Sequence, residues 1–325
     1  MLNPVLAIHG GAGGDGPWKG MSSLDPARIK CMEEVLSGVG RHLLSGMEAL
    51  DAVTIAVEMM EDDPLFNAGR GSVLGSRGDI SMDASIMRGR DGAAGAVIGV
   101  RQVRHPIRVA YYLLKKGWPV MLNTNAADEF GIESGVEKVG QEWLRTELRQ
   151  AQWQKWMVER AEVGATDEDD AALDHDLDGR VATEFSDENE GMGTVGAVAL
   201  DRYGNLATAT STGGMTGKPD GRIGDTPIIG AGSWADRRIA ISCTGVGEAY
   251  IRTAAAHELA TRMRVEGTML ASESEEVLNM VAPLGGRGGL IAITAEGEVH
   301  LPFQTTVMYR GVWTPDNSWT AIGPI

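Results

Sequence analysis

Apolar residues in this chain fall into short runs and helix-spaced stripes that alternate over most of its length. The run at 5–8 ends in His9-Gly10-Gly11-Ala12-Gly13-Gly14, which predicts a buried strand feeding a tight glycine turn. Asp25 followed by Pro26 predicts the capped start of a first helix. A second helix is predicted from Ser45, with Glu48 completing a capping box and Ala49, Val53, Ala56, Val57 and Met60 as its inner stripe, ending before Pro64. Strands are predicted near 80–87 and 95–100, then helices near 107–116 and 136–160.

The patterning stops at 161–193. There Asp167, Glu168, Asp169, Asp170, Asp174, Asp176, Asp178, Asp187, Glu188 and Glu190 face only Arg180 in opposite charge. Such a stretch has too few apolar groups to offset ordering entropy, so it reads as an acidic linker. Order resumes abruptly at Thr194: an apolar run to Leu200, a turn over 201–205 and a second run from Leu206 to Thr210 predict a hairpin. Further strands are predicted at 239–243 and 290–294, and helices at 248–265 and 272–281. The pattern is mixed α/β without internal repeats.

At 325 residues the chain has room for one large domain or two closely packed halves. A formal net charge of −16 disfavours a nucleic-acid partner, because neutralising phosphates requires basic patches. Small molecules or peptides are the expected partners. Cys31 and Cys243 are far apart in apolar contexts, which argues against a disulfide and for a reducing, cytoplasmic setting. The first residues lack the features of a secretory leader, and no apolar run approaches membrane-spanning length.

Small and hydroxyl residues concentrate after the linker. Gly193-Thr194-Val195-Gly196-Ala197-Val198 is followed by Thr210-Ser211-Thr212-Gly213-Gly214, by Gly221-Arg222-Ile223-Gly224-Asp225, and by Ser242-Cys243-Thr244-Gly245-Val246-Gly247. With His9-Gly10-Gly11-Ala12-Gly13 and Pro64-Leu65-Phe66-Asn67-Ala68-Gly69, these blocks span nearly all of the chain outside the linker. In order and spacing the chain resembles the plant-type asparaginase and isoaspartyl-peptidase family of N-terminal-nucleophile (Ntn) hydrolases. The chemistry suits the residue types. A threonine hydroxyl is a weak nucleophile without a base, and an N-terminal threonine carries one in its own α-amine.

The resemblance implies a four-layer αββα sandwich of the Ntn-hydrolase type. It implies self-cleavage between Gly193 and Thr194 into fragments 1–193 and 194–325, the first ending in the acidic linker and both remaining in one intertwined domain. Thr194 would be the nucleophile, Thr212 its hydrogen-bond partner, and Thr244 with the Gly245 N–H the oxyanion hole. Arg222 would clamp the substrate carboxylate and Asp225 its α-ammonium. Gly11 and Gly247 would line the pocket, and Asn67 would support the nucleophile's surroundings. The implied reaction is hydrolysis of isoaspartyl dipeptides and L-asparagine, with no organic cofactor. A structural sodium ion held by backbone carbonyls around 59–69 and a homodimer of cleaved protomers are further implications. The chain departs from the family at Pro302-Phe303-Gln304-Thr305, where Pro-Phe-Asn-Thr is common, and at Val307 before Met308-Tyr309-Arg310, where glycine is usual.

Other readings are weaker. The glycine block lacks the Lys and Ser or Thr of a P-loop, and Gly245-Val246-Gly247 has Tyr250 where a dinucleotide fingerprint needs glycine. Asp174 to Gly179 copies the start of a calcium loop, but Phe185 stands at its twelfth position. No histidine spacing suggests zinc. A glycosylasparaginase is disfavoured by Gly213-Gly214 and the missing leader. An uncleaved, inactive homologue acting as a binding protein would have no need of Thr194, Arg222 and Asp225 together.

Overall fold

The computed structural model describes residues 2–13, 25–163, 193–265 and 267–323. Strand β1 (Val5–Gly13) continues through the glycine block, which corrects the predicted tight turn. A bulge between His9 and Gly11, with Gly11 at φ 109°, lets the strand kink and still pair, a conformation that glycine adopts freely. Gly14 lies outside the described residues, as do 164–192 of the predicted linker and the calcium-like segment within it.

Helix α1 (Pro26–Leu44) starts as expected, with the Asp25 side chain accepting the Arg28 N–H at 3.2 Å. The next boundary differs from its prediction. Ser45 closes α1, its hydroxyl donating to the Arg41 carbonyl at 2.9 Å, and α2 (Ala49–Asp62) begins four residues later. The Asp201 carboxylate, distant in sequence, accepts the Ala49 N–H at 3.1 Å and so replaces the local capping box. The stripe Ala49, Val53, Ala56, Val57 and Met60 is buried as the pattern required.

Strands β2 (Met82–Arg88) and β3 (Ala94–Val100) and helix α3 (Pro106–Lys116) fall close to their predicted positions. Strand β4 (Met121–Asn123) and helix α4 (Thr124–Glu133) follow without a counterpart in the sequence reading. The single helix predicted at 136–160 is instead α5 (Gln141–Leu144) and α6 (Glu147–Val163). Residues 136–140 are drawn into pairing, with Lys138 bridging Val103 and the Val139 N–H donating to the Gln102 carbonyl at 2.9 Å.

The predicted hairpin is present as β5 (Val195–Leu200) and β6 (Leu206–Thr212), its turn tied by the Asp201 N–H to the Asn205 carbonyl at 3.0 Å. There follow β7 (Ser233–Ala235), β8 (Ile239–Gly245), α7 (Gly247–Thr253), α8 (Ala255–Arg262) and α9 (Leu270–Val281). The helix predicted at 248–265 breaks at Ala254, which has φ 48°. There the Ala256 and His257 N–H groups leave the helix ladder for the carbonyls of Ala231 and Gly230, at 3.2 and 2.8 Å. Strands β9 (Gly288–Thr294), β10 (Val299–His300), β11 (Val307–Trp313) and β12 (Ser318–Ala321) complete the described chain.

The strands form two sheets. The larger runs β12-β11-β1-β5-β6-β2-β3-β4 and the smaller β10-β9-β8-β7. Val5, Ala7, Val198, Leu200, Ala240, Ile291, Ile293 and Met308 form a core between the sheets. A second core joins α1, α2 and α3 to the larger sheet, and a third joins α7, α8 and α9 to the smaller. The fold is therefore mixed α/β with two sheets. Among the described residues no helix is long and apolar enough to cross a membrane.

Candidate active site

Thr194 immediately precedes β5, a central strand of the larger sheet, and is buried. Its hydroxyl donates to Thr212 Oγ1 at 3.1 Å, and the same oxygen accepts the Gly214 N–H at 3.0 Å. Thr212 is the last residue of β6, and the β5–β6 register, which ends at Val195 opposite Ser211, brings it beside Thr194. The turn after it is clamped by Asn67. Its Nδ2 donates to the Gly214 carbonyl at 2.7 Å, its carbonyl accepts the Gly213 N–H at 2.9 Å, and its Oδ1 accepts the Val73 N–H at 2.9 Å. Asn67 also flanks the predicted cleavage junction, since a Cβ added at Gly193 would stand 3.0 Å from Asn67 Cβ.

One pocket is lined by Thr194, Thr212, Gly214, Met215, Arg222, Gly224, Asp225, Thr226 and Gly245. The structure thus gathers five of the predicted site residues, Thr194, Thr212, Arg222, Asp225 and Gly245, around one space. Thr244, Gly247, Gly11 and Asn67 stand behind that lining. Thr244 Oγ1 accepts the Ala12 N–H at 3.2 Å, so the hydroxyl hydrogen is left to donate elsewhere. Gly11 adjoins that contact at the β1 bulge. Gly245, at φ 152°, lies so close to the Arg287 carbonyl that a side chain would collide with it. Gly247 packs on Asp225, where a Cβ would lie 2.8 Å from both its N and Oδ1.

Asp225 is buried, and its Oδ2 has no hydrogen-bond partner among the described residues. Burial pushes its carboxyl pKa up to about 7, against the opposing pull of Arg222. An ionised carboxylate here is primed for a cation, because a ligand that supplied one would relieve the cost of burying it. Arg222 presents its Nε and Nη2 to the two carboxylate oxygens of Glu248, each at 2.7 Å. Burial disfavours the charged guanidinium, but this pairing outweighs it and holds the pKa above its ordinary value. The remaining Nη1 faces Gly224, where a Cβ would stand 3.1 Å away.

Sequence reasoning missed Glu248, although an acid directly after the Thr244 to Gly247 block could have flagged it. It also missed Lys218, a buried cation whose Nζ donates to the Ser81 carbonyl at 2.8 Å behind Gly214. Burial lowers the Lys218 pKa while the charge of Asp83 pulls it back up. Nothing in the local sequence marks Lys218 as buried.

The asparaginase family model matches residues 2–322. The chain is 42% identical over 312 residues to the isoaspartyl peptidase of Escherichia coli K12, covering 95% of this chain and 92% of that one. It is 41% identical over 312 residues to the isoaspartyl peptidase of Salmonella typhimurium LT2, covering 95% of each. With the isoaspartyl peptidase/L-asparaginase of Homo sapiens it shares 37% identity over 311 residues, covering 94% and 92%. A match of this extent, on a chain whose hydroxyl, arginine and aspartate blocks converge on one pocket, means that the protein belongs to the asparaginase family of plant-type, Ntn-hydrolase enzymes.

Proposed function

We propose that this protein is an autoprocessing threonine amidohydrolase that hydrolyses isoaspartyl dipeptides and L-asparagine, releasing aspartate. The observation that carries the reading is the convergence of the Thr194–Thr212 hydroxyl pair with Arg222 and Asp225 around one pocket. The names of the relatives, isoaspartyl peptidase and isoaspartyl peptidase/L-asparaginase, point to the same substrates.

In the uncut chain the Thr194 nitrogen is an amide and has no basicity. Attack of its hydroxyl on the Gly193 carbonyl, acyl transfer from nitrogen to oxygen, and hydrolysis of the resulting ester free the α-amine. With a pKa of about 7.7–8.0 in model compounds, that amine has a useful neutral fraction near physiological pH. It then takes the hydroxyl proton as Thr194 Oγ1 attacks the substrate amide, while Thr212, held by the Gly214 N–H, turns its own hydrogen toward the developing alkoxide. The Thr244 hydroxyl and the Gly245 N–H stabilise the tetrahedral oxyanion, each such donor contributing on the order of 10²- to 10³-fold in rate. The protonated amine releases the amine or ammonia leaving group, and water cleaves the aspartyl ester.

Recognition of an aspartyl end follows from the charges. Asp225 takes the α-ammonium, and Arg222 meets the α-carboxylate through Nη1, with Glu248 holding the other edge of the guanidinium. The reading brings with it the four-layer αββα sandwich, supported by a core between the sheets and one under each helical layer. It also brings division into fragments 1–193 and 194–325 and a homodimer of cleaved protomers. A structural sodium ion fits the 59–69 loop. The Pro64 and Phe66 carbonyl oxygens converge on Gly71, where a Cβ would lie 2.5 and 2.6 Å from them, and carbonyl oxygens suit a hard cation. Its contribution there would be to order the loop that carries Asn67.

Intact-mass measurement of the purified protein, followed by parallel assays on asparagine and a β-aspartyl dipeptide, tests the proposal. Two fragments divided before Thr194 and release of aspartate are expected. A chain that stays whole and releases no aspartate would overturn it.

A further inference from the structure

Once the chain is cut, Thr194 is a chain terminus, and termini fray unless something ties them down. The sheet does not do so. Pairing of β5 with β1 ends at Gly196 opposite His9, and pairing of β5 with β6 ends at Val195 opposite Ser211, so Thr194 lies beyond both ladders. Its side chain is held by Thr212. Its carbonyl oxygen is held by a side chain instead of a strand: His9 Nδ1 donates to it at 2.9 Å. On the far side of the ring, Nε2 meets Ser242 Oγ at 2.8 Å, which in turn meets Thr210 Oγ1 at 2.7 Å.

We propose that His9 is a positioning residue for the reaction, a neutral imidazole whose Nδ1–H fixes the peptide carbonyl of Thr194 and thereby the direction in which the nucleophilic hydroxyl and the freed amine point.

A carbonyl oxygen can only accept, so Nδ1 carries the hydrogen; Nε2, with no hydrogen in a neutral ring, accepts from Ser242. Ser242 then accepts from Thr210, and the relay from Thr210 to Thr194 has a single direction. His9, Ser242 and Thr210 are all buried. Burial lowers the ring's pKa to about 3, so it remains neutral at working pH. The backbone makes room for this arrangement at Gly196, the residue opposite His9, where a Cβ would overlap both His9 Nε2 and Ser242 Oγ. The strand that carries the nucleophile is thus hollowed at the position that admits the ring. An error of about 1 Å in aiming a reacting group costs on the order of 10²-fold in rate, and that is the scale at which His9 acts.

The inference rests on the reading of Thr194 as the cleaved, N-terminal nucleophile, and the experiment separates the two. Asn places its amide nitrogen, a donor, as many bonds from Cα as Nδ1, and Gln places its amide oxygen, an acceptor, as many as Nε2. His9→Asn therefore keeps the donor to Thr194, whereas His9→Gln keeps only the partner of Ser242. For wild type and both variants, the cleaved fraction is measured by intact mass, and kcat and KM are expressed per cleaved chain. The expected result is a fall in kcat of about 10- to 100-fold for His9→Gln with KM changed less than about twofold, and recovery of most of kcat in His9→Asn. Equal losses in the two variants, or a loss confined to KM, would overturn the inference while leaving the nucleophile in place. A wild type that turns over substrate without being cut before Thr194 would instead overturn the reading beneath it. Should a variant fail to fold or to cleave, nitrogen-15 spectra of the histidine-labelled wild type decide: an Nδ1–H, bare-Nε2 ring at His9 supports the relay, and an Nε2–H ring refutes it.

Discussion

Thr212 Oγ1 receives the Thr194 hydroxyl at 3.1 Å and the Gly214 N–H at 3.0 Å, so the partner of the proposed nucleophile is itself held from the backbone. With two donors on that oxygen, Thr212 retains one hydrogen to return when Thr194 loses its proton. Thr212→Val removes this exchange and leaves the strand intact. Turnover should fall at least about 10²-fold with little change in KM, and Thr212→Ser should restore much of it. A valine variant with wild-type kcat would remove Thr212 from the reaction.

The nucleophile and the cleavage stand or fall together, because only a cut before Thr194 creates its base. Thr194→Ala should remain a single chain on intact-mass analysis and release no aspartate from either substrate. Thr194→Ser should cut and turn over, since it keeps the hydroxyl. Scission of the alanine variant at the same bond would mean that another group performs the attack.

Arg222 and Glu248 should separate in kinetics. With Arg222 as the proposed clamp on the substrate carboxylate, Arg222→Ala should raise KM about 10- to 100-fold, the scale of a lost charge-assisted hydrogen bond. Because the Glu248 carboxylate fixes Nε and Nη2 and leaves Nη1 toward the pocket, Glu248→Ala should raise KM by less and spare kcat. If KM falls on loss of Glu248, the carboxylate competes with substrate and does not orient the arginine. Steady-state measurements on isoaspartyl dipeptide decide between these outcomes.

Asp225 gives a pH dependence whose sign can be stated. Burial raises its pKa to about 7 in the folded chain, whereas an unfolded aspartate titrates near 3.9. The folded state therefore binds the proton more tightly, and this group's contribution to stability declines as pH rises from about 3.9 to about 7. Asp225→Asn, which stays neutral, should melt roughly 2–4 °C above wild type at pH 8, and the gap should narrow on acidification and close at about pH 4. Activity should be lost at both values. A gap that widens on acidification would show that the carboxylate is stabilised in the fold instead of strained.

A large share of this protein was legible in its sequence. The α2 stripe, the β5–β6 hairpin around Asp201 to Asn205, and strands β8 and β9 lie where the periodicity put them, because burial of one face is a local property of residue spacing. The hydroxyl and glycine blocks also announced which residues would share a site. Thr194, Thr212, Arg222, Asp225 and Gly245 line one pocket, and Thr244, Gly247, Gly11 and Asn67 stand close behind it.

What the sequence left undecided depended on partners far along the chain. Ser45 looked like a helix start until Asp201 took over capping from 152 residues away. The helix predicted at 136–160 lost its first turns to pairing beside Val103, and the one at 248–265 broke where the carbonyls of Gly230 and Ala231 captured its backbone N–H groups. His9 read only as the head of a glycine block. Its bond to the Thr194 carbonyl crosses 185 residues and requires the empty space above Gly196, which exists only once β1 and β5 have paired. Residue spacing determined the elements and the chemistry on offer. Long-range hydrogen bonds, which the chain acquires only when its sheets close, decided where those elements end and how Thr194 is held.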